Sequence, residues 1–257
     1  MFCYNYYMKI HQSPRLKNQA KLIHAFSSRD GGVSLAPFNS LNLAFHVGDN
    51  EKSVLKNHNI LATLLNYKTQ TLVHMKQIHS NLVHIVDAGD NFLNPPTCDA
   101  LITDKTNIPL MVMVADCNPL LFYDKSRRVI AVAHAGREGA FGNIVKNVVE
   151  SFEHNFGSDA RDIFVTIGAS IGVCCYKIGL EIKTKAEELG LGFAIEQRDG
   201  AIFLDVRKIL KSQLLASGIK EQNIEISKEC SCCKNTKYFS YRASKITGRF
   251  AGVLMMR

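Results

Sequence analysis

Residues 110–136 read LMVMVADCNPLLFYDKSRRVIAVAHAG. Apolar runs at 110–114, at 120–123 and at 129–133, the last leading into His134, are separated by Asp116-Cys117-Asn118-Pro119 and by Asp124-Lys125-Ser126-Arg127. Short runs of Val, Ile and Leu bounded by turn residues predict three strands, the last two joined by a tight turn. If Asp124 faces Arg127 across a two-residue turn, the antiparallel ladder sets Cys117 opposite His134. Opposed residues share a face, with Cβ atoms about 4.5–5.5 Å apart. A thiolate and an imidazole then converge. A register shift of two residues keeps the shared face, and a slip of one destroys it.

His79 supplies a third donor. Along an extended segment His74 and His84 share a parity and His79 has the other, so at most one subset faces the site. One Cys and two His, with a fourth position open to water, suit catalytic zinc. Such an ion activates water near neutral pH or acts as a Lewis acid. The same residues admit other readings. Cys117 can be a buried small hydrophobe, His134 a hydrogen-bonded core histidine, or the two a metal-free nucleophile–base pair. Asp116 adjoins Cys117, but strand alternation aims it away, towards a structural role.

Further out, Gly31-Gly32 suits a hairpin turn within the Gly-, Ser- and Asn-rich segment 27–50, where loops surround short strands. A helix is predicted from Glu51 to Leu65 with Asn50 as its N-cap. Strands are predicted at 71–73 and 82–86. Apolar residues at 144, 145, 148, 149, 152 and 156 form a helical stripe over 143–156. Another helix spans 180–189 and stops at Gly190, and a third follows Asp205 and ends near Gly218. Strands alternating with helices, together with hairpin signals, indicate an α+β fold. No repeat or long linker divides residues 1–257, which read as a single domain.

The 257 residues contain 46% hydrophobic and 21% charged residues, as in an ordinary globular protein. The formal charge of +8 comes from dispersed Lys and Arg, which argues for a solvated basic surface and against nucleic-acid binding. Asn5, Lys9, His11 and Gln12 interrupt the start of the chain where an export signal needs an apolar run. Asp116, Asn118 and Pro119 interrupt the most apolar stretch, so it does not span a bilayer. A cytoplasmic location follows, and the eight cysteines read as thiols or metal ligands. Cys230, Cys232 and Cys233 are dense, but no second Cys-x-x-Cys or His-x-x-x-His accompanies them, which argues against a second metal. The stretch Gly168–Gly179 matches no phosphate-loop spacing and reads as a strand-to-turn segment.

The motifs Ser28-Arg29-Asp30-Gly31-Gly32-Val33-Ser34, Ser40-Leu41-Asn42-Leu43 and His46-Val47-Gly48-Asp49 open a longer series. Gln77-x-His79, Asp99-Ala100-Leu101-Ile102-Thr103-Asp104, Ala115-Asp116-Cys117 and His134-Ala135-Gly136 continue it. Cys174-Cys175-Tyr176, Phe239-Ser240-Tyr241-Arg242 and Thr247-Gly248-Arg249 close it. In this order they resemble the YfiH family, known under a multicopper polyphenol oxidase (laccase) label and as purine nucleoside phosphorylases. The resemblance implies a single-domain, layered α-β-β-α sandwich with mixed sheets. It also implies a zinc ion held by His79, Cys117 and His134, with copper as the alternative metal. It implies phosphorolysis of inosine, adenosine, guanosine and methylthioadenosine, and deamination of adenosine. Arg29, Asn42 and His46 match the polar loop positions that line the family's pocket and are expected to contact substrate. Arg242, like Arg249, is a candidate contact for phosphate or ribose, with a surface ion pair as the ordinary alternative.

Two departures stand out. The family's His-Ala-Gly-Trp-Arg-Gly is here His134-Ala135-Gly136-Arg137-Glu138-Gly139, so a carboxylate occupies the usual arginine position. Ser80 and Ala243 replace a usual glycine and arginine. Three functions compete. The first is a zinc-dependent phosphorylase with Cys117, His134 and His79 at its centre. The second is a copper oxidase of phenols, opposed by the absence of any His-x-His pair among the nine histidines. The third is a Cys117-dependent amidase or a non-catalytic factor in cell-wall precursor quality control. The adenosine route also lacks the His-x-Glu…Pro-Cys-x-x-Cys signature of zinc deaminases. Oligomeric state is left open.

Overall fold

The computed structural model describes residues 10–17 and 19–257. Asn5 and Lys9, which argued against an export signal, lie outside these residues. The first strands are β1 (Ile10–His11), β2 (Leu22–Ser27), β3 (Val83–Ile85), β4 (Ala100–Thr103), β5 (Leu110–Val114), β6 (Asn118–Asp124) and β7 (Val129–Ala135). They continue as β8 (Ile163–Ile167), β9 (Lys177–Ile178), β10 (Ile195–Arg198), β11 (Ala201–Leu204), β12 (Ile224–Ile226) and β13 (Phe250–Met256). The helices are α1 (Pro14–Lys17), α2 (Glu51–Leu65), α3 (Arg137–Phe141), α4 (Ile144–Phe156), α5 (Leu180–Glu188) and α6 (Val206–Ala216).

An antiparallel sheet runs β1-β2-β13-β5, and a mixed sheet runs β12-β8-β6-β7-β4-β3. The pairs β12–β8 and β3–β4 of the second sheet are parallel, and its other pairs are antiparallel. A small antiparallel sheet, β10-β11-β9, stands apart from both. Phe26, Val112, Val114, Phe250 and Leu254 of the first large sheet meet Leu101, Leu121, Ile130 and Val132 of the second. The outer face of the mixed sheet packs Phe122, Ala131 and Ala133 against Val148 and Phe152 of α4 and Leu210 of α6. The outer face of the antiparallel sheet packs Met111, Met113 and Val253 against Leu61 and Leu65 of α2. The layers are therefore α-β-β-α, as expected. Both faces of β6, β7 and β13 are covered and every residue in them is buried, which explains the apolar runs that make up most of each strand.

Local chemistry sets the helix starts. The Asn50 side chain accepts from Ser53 N, Asn143 from Lys146 N, and Asp205 from Lys208 N. Three strand-level expectations are corrected. The β6–β7 turn contains four residues, because buried Asp124 accepts from Ser126 N and Arg127 N and Arg128 takes φ +55°. Asp124 consequently pairs with Val129, and His134 opposes Pro119 rather than Cys117. Residues 71–73 are no strand. A 3-10 turn occupies Thr69–Thr71, and only Val73 bridges to Leu110. Gly31-Gly32 turns no hairpin. Gly32 lies so close to the Ser40 carbonyl that an added Cβ would clash with its oxygen, and the glycine serves close approach in a closed loop. None of the described helices is long and apolar enough to cross a membrane.

Candidate metal centre

Residues 115–117 carry the chain from β5 in one large sheet to β6 in the other. Asp116 takes φ +90° there, so strand alternation does not apply to it. The register shift is two residues, so Cys117 keeps the side of the ladder that His134 occupies. The residue facing Cys117 is Gly136, where an added Cβ would lie 3.0 Å from Cys117 Sγ and 3.2 Å from the His79 ring. The missing side chain is the space in which thiol and imidazole meet.

His79 reaches this point on a loop held by two anchors. Gln77 donates its Nε2 to Met113 O at 2.8 Å and accepts from Met113 N at 2.9 Å, pinning the loop to β5. Asp99, fully buried, accepts from the backbone N–H groups of Ile78, His79 and Ser80 and from Ser80 Oγ. Its Oδ1 also lies 2.8 Å from His134 Nδ1. One carboxylate thus orients both histidines, and directs Nε2 of His134 towards the donor cluster. Ser80 turns its departure from glycine into an added hydrogen bond. His74 and His84 face elsewhere, bonded to Phe92 O and Asp90.

Donor atoms of His79, Cys117 and His134 lie within 4.8 Å of one another, and His79 Nε2 is 4.0 Å from Cys117 Sγ. Burial pushes the Cys117 thiol up, but His134 and His79 more than reverse this, bringing it to about 6. Burial likewise lowers His134, and the Cys117 thiolate and Asp99 outweigh it, raising His134 to about 9. Two imidazoles, a thiolate and a glycine-made space fit a divalent ion of the zinc or copper type.

The trio forms part of a cavity of about 330 Å³, a size suited to a small organic ligand. Arg137, Arg242, Arg249 and His46 also line it, with Tyr176 and Tyr241. Asp116 is on the wall with both carboxylate oxygens engaged, by Ser231 Oγ and Arg242 N, each at 2.6 Å. Asn118 gives its Nδ2 to Ala135 O and leaves a buried Oδ1 without a partner.

Of the expected substrate contacts, His46 and Arg242 line the cavity, whereas Arg29 and Asn42 do not. The Arg29 guanidinium is used on Asn39 and on Asn235 O. Asn42 is fully buried, bonded to Ala44, Asp49 and Arg249 N, so it positions the backbone of a cavity arginine. Glu138 is drawn outside by Arg137 and by Lys185, and Arg137 takes the place on the wall. Asp99 was missed as a functional residue. A charged residue directly preceding the apolar run Ala100-Leu101-Ile102 was the available signal, since a buried carboxylate must find partners.

The fold and site define a layered α/β protein with a His/Cys/His donor set inside a cationic pocket. The chain belongs to the multi-copper polyphenol oxidoreductase laccase family, whose sequence model matches residues 23–257. A purine nucleoside phosphorylase of Corynebacterium glutamicum is 35% identical over 232 residues, covering 90% of this chain and 93% of that protein. Purine nucleoside phosphorylase YlmD of Bacillus subtilis is 31% identical, covering 94% and 91%. The crystal structure of YfiH from Bacillus licheniformis superposes with a TM-score of 0.88 at 30% identity, covering 92% and 93%.

Proposed function

We propose that this chain is a cytoplasmic, single-domain, metal-dependent purine nucleoside phosphorylase acting on inosine, adenosine, guanosine and methylthioadenosine, with adenosine deamination as a side activity. The observation that carries this reading is one cavity that joins the His79/Cys117/His134 set to Arg137, Arg242 and Arg249. The names of its relatives point the same way. Guanidinium groups bind phosphate oxygens by charge-assisted hydrogen bonds. Tyr176 and Tyr241 offer aromatic faces to a purine. A phosphate oxygen forms the new bond to the anomeric carbon as the glycosidic C–N bond breaks, and the departing purine nitrogen takes the electron pair and then a proton. His79, Cys117 and His134 hold the ion, zinc in our reading, which when bound supplies Lewis acidity.

Zinc-quantified protein is incubated with the four nucleosides, with and without phosphate, and products are followed by mass spectrometry beside Cys117→Ala. Phosphate-dependent release of free base and sugar 1-phosphate, lost in the variant, is expected. A folded, metal-loaded protein that releases no base overturns the reading. Asp99, His134 and Cys117 also stand in the order of an orienting carboxylate, a base and a nucleophile, which favours a thiol amidase as the second reading. Amide hydrolysis that survives chelation and is lost in Cys117→Ala would carry that reading instead.

A further inference from the structure

Cys174 and Cys175 lie on the loop after β8, and Cys230 and Cys233 on the loop after β12. Their four Sγ atoms lie within 4.8 Å of one another. Cys233 Sγ is 3.5 Å from that of Cys174 and 3.3 Å from that of Cys175. The two loops are bound together independently of the sulfurs. Ser231 N donates to Ser170 O at 2.9 Å, and Arg207 donates to Ser170 Oγ on one loop and to Ser227 O and Glu229 O on the other. The N–H groups of Gly172 and Cys233 point at Cys230 Sγ, at 3.2 and 3.5 Å, and such donors favour a thiolate. The partner motif absent from the sequence reading is supplied by the adjacent pair Cys174-Cys175, brought in from the neighbouring strand.

We propose that Cys174, Cys175, Cys230 and Cys233 form a second metal site, a zinc tetrathiolate, separate from the His79/Cys117/His134 centre. Four sulfurs on a tetrahedral ion with bonds of about 2.3 Å stand about 3.8 Å apart, close to the 3.3 and 3.5 Å separations seen here and inside the 4.8 Å that encloses all four. Soft thiolates in this number select zinc over hard cations and leave no open position, so the ion's role is structural. On entry of zinc the thiol protons pass to solvent, and the resulting negative charge lies against the Arg207 guanidinium that braces both loops. Arg242 donates to Cys175 O at 2.9 Å and Ser231 to Asp116, so the ion clips together the wall that carries Asp116, Tyr176 and Arg242.

The test counts zinc per full-length chain in wild type, Cys117→Ala, Cys174→Ser and Cys233→Ser. The two serine variants are made at exposed positions and leave the core intact. One zinc is expected to survive Cys117→Ala, with an all-sulfur first shell by X-ray absorption, and to be lost in Cys174→Ser and Cys233→Ser. Cobalt-loaded Cys117→Ala is expected to show the intense visible bands of a tetrahedral tetrathiolate. Zinc content unchanged by Cys233→Ser overturns the proposal. So does iron in place of zinc, or a disulfide among these four residues in non-reducing peptide maps of the purified protein. Because the surviving ion is read in Cys117→Ala, an empty His/Cys/His centre and an empty tetrathiolate give different counts.

Discussion

Asp99 Oδ1 lies 2.8 Å from His134 Nδ1, and the same fully buried carboxylate closes the loop that presents His79. Burial raises the Asp99 carboxyl, but the His134 and Ser80 hydrogen bonds outweigh it and hold it at about 2, so the group stays charged. Asp99→Asn keeps the shape and places an amide N–H₂ where backbone N–H groups need an acceptor. Loss of the carboxylate partner of a metal-binding histidine lowers metal affinity by about 10–100-fold. Competition titration with a zinc chelator reads this directly. Unchanged affinity would remove Asp99 from the positioning role.

Gly136 gives a sharper test of the centre's geometry. Alanine there brings a Cβ to 3.0 Å from Cys117 Sγ and 3.2 Å from the His79 ring. The backbone φ of −76° suits alanine, so strain arises only from the donors. Gly136→Ala is expected to displace thiol and imidazole, and to abolish metal binding at the proposed centre, while retaining native circular dichroism. Full metal loading would show that the two donors meet elsewhere.

These two residues also mark what the sequence disclosed. The shared face of Cys117 and His134 follows from alternation and survives a two-residue register change. The turn length depends on Asp124 folding back onto Ser126 and Arg127, which no apolar pattern reports. The N-caps Asn50 and Asp205 were legible because capping is local, whereas the Asn143 cap lay hidden inside an apolar stripe. Asp99 serving two loops is non-local chemistry, as is Cys174-Cys175 meeting Cys230 and Cys233. Arg29 and Asn42 carried a motif resemblance that did not reveal whether their side chains faced the cavity or their own loop.

Buried histidines make the fold sensitive to acid. His58 stacks on Phe45 and lies near His74, and burial lowers it from 6.5 to about 3. Burial also lowers His24, to about 4. The folded state therefore binds fewer protons than the unfolded chain at mildly acid pH. Their contribution to stability is complete above about pH 6.5, declines below it, and is lost as pH falls through about 4 for His24 and 3 for His58. At about 1.4 kcal/mol per pKa unit, the two together amount to several kcal/mol. Urea midpoints measured from pH 7 to 4 are expected to fall steadily, with a smaller slope in His58→Gln. Equal slopes would assign acid lability to other groups.

Glu138 stands where the motif resemblance leads one to expect arginine, and its carboxylate lies outside the cavity, between Arg137 and Lys185. The arrangement draws Arg137 partly away from any bound anion. Glu138→Gln removes the competing charge and costs little stability, since exposed ion pairs contribute about 0–1 kcal/mol. Arg137 then becomes freer to donate to phosphate, and a charge-assisted hydrogen bond contributes about 1.5–3 kcal/mol, roughly 10–100-fold in affinity. For the phosphorylase proposed above, the expected result is a lower KM for phosphate, by up to that factor, with little change in KM for the nucleoside. A raised phosphate KM would mean instead that Glu138 holds Arg137 in its working position, and the substitution would then be an adaptation of the anion site.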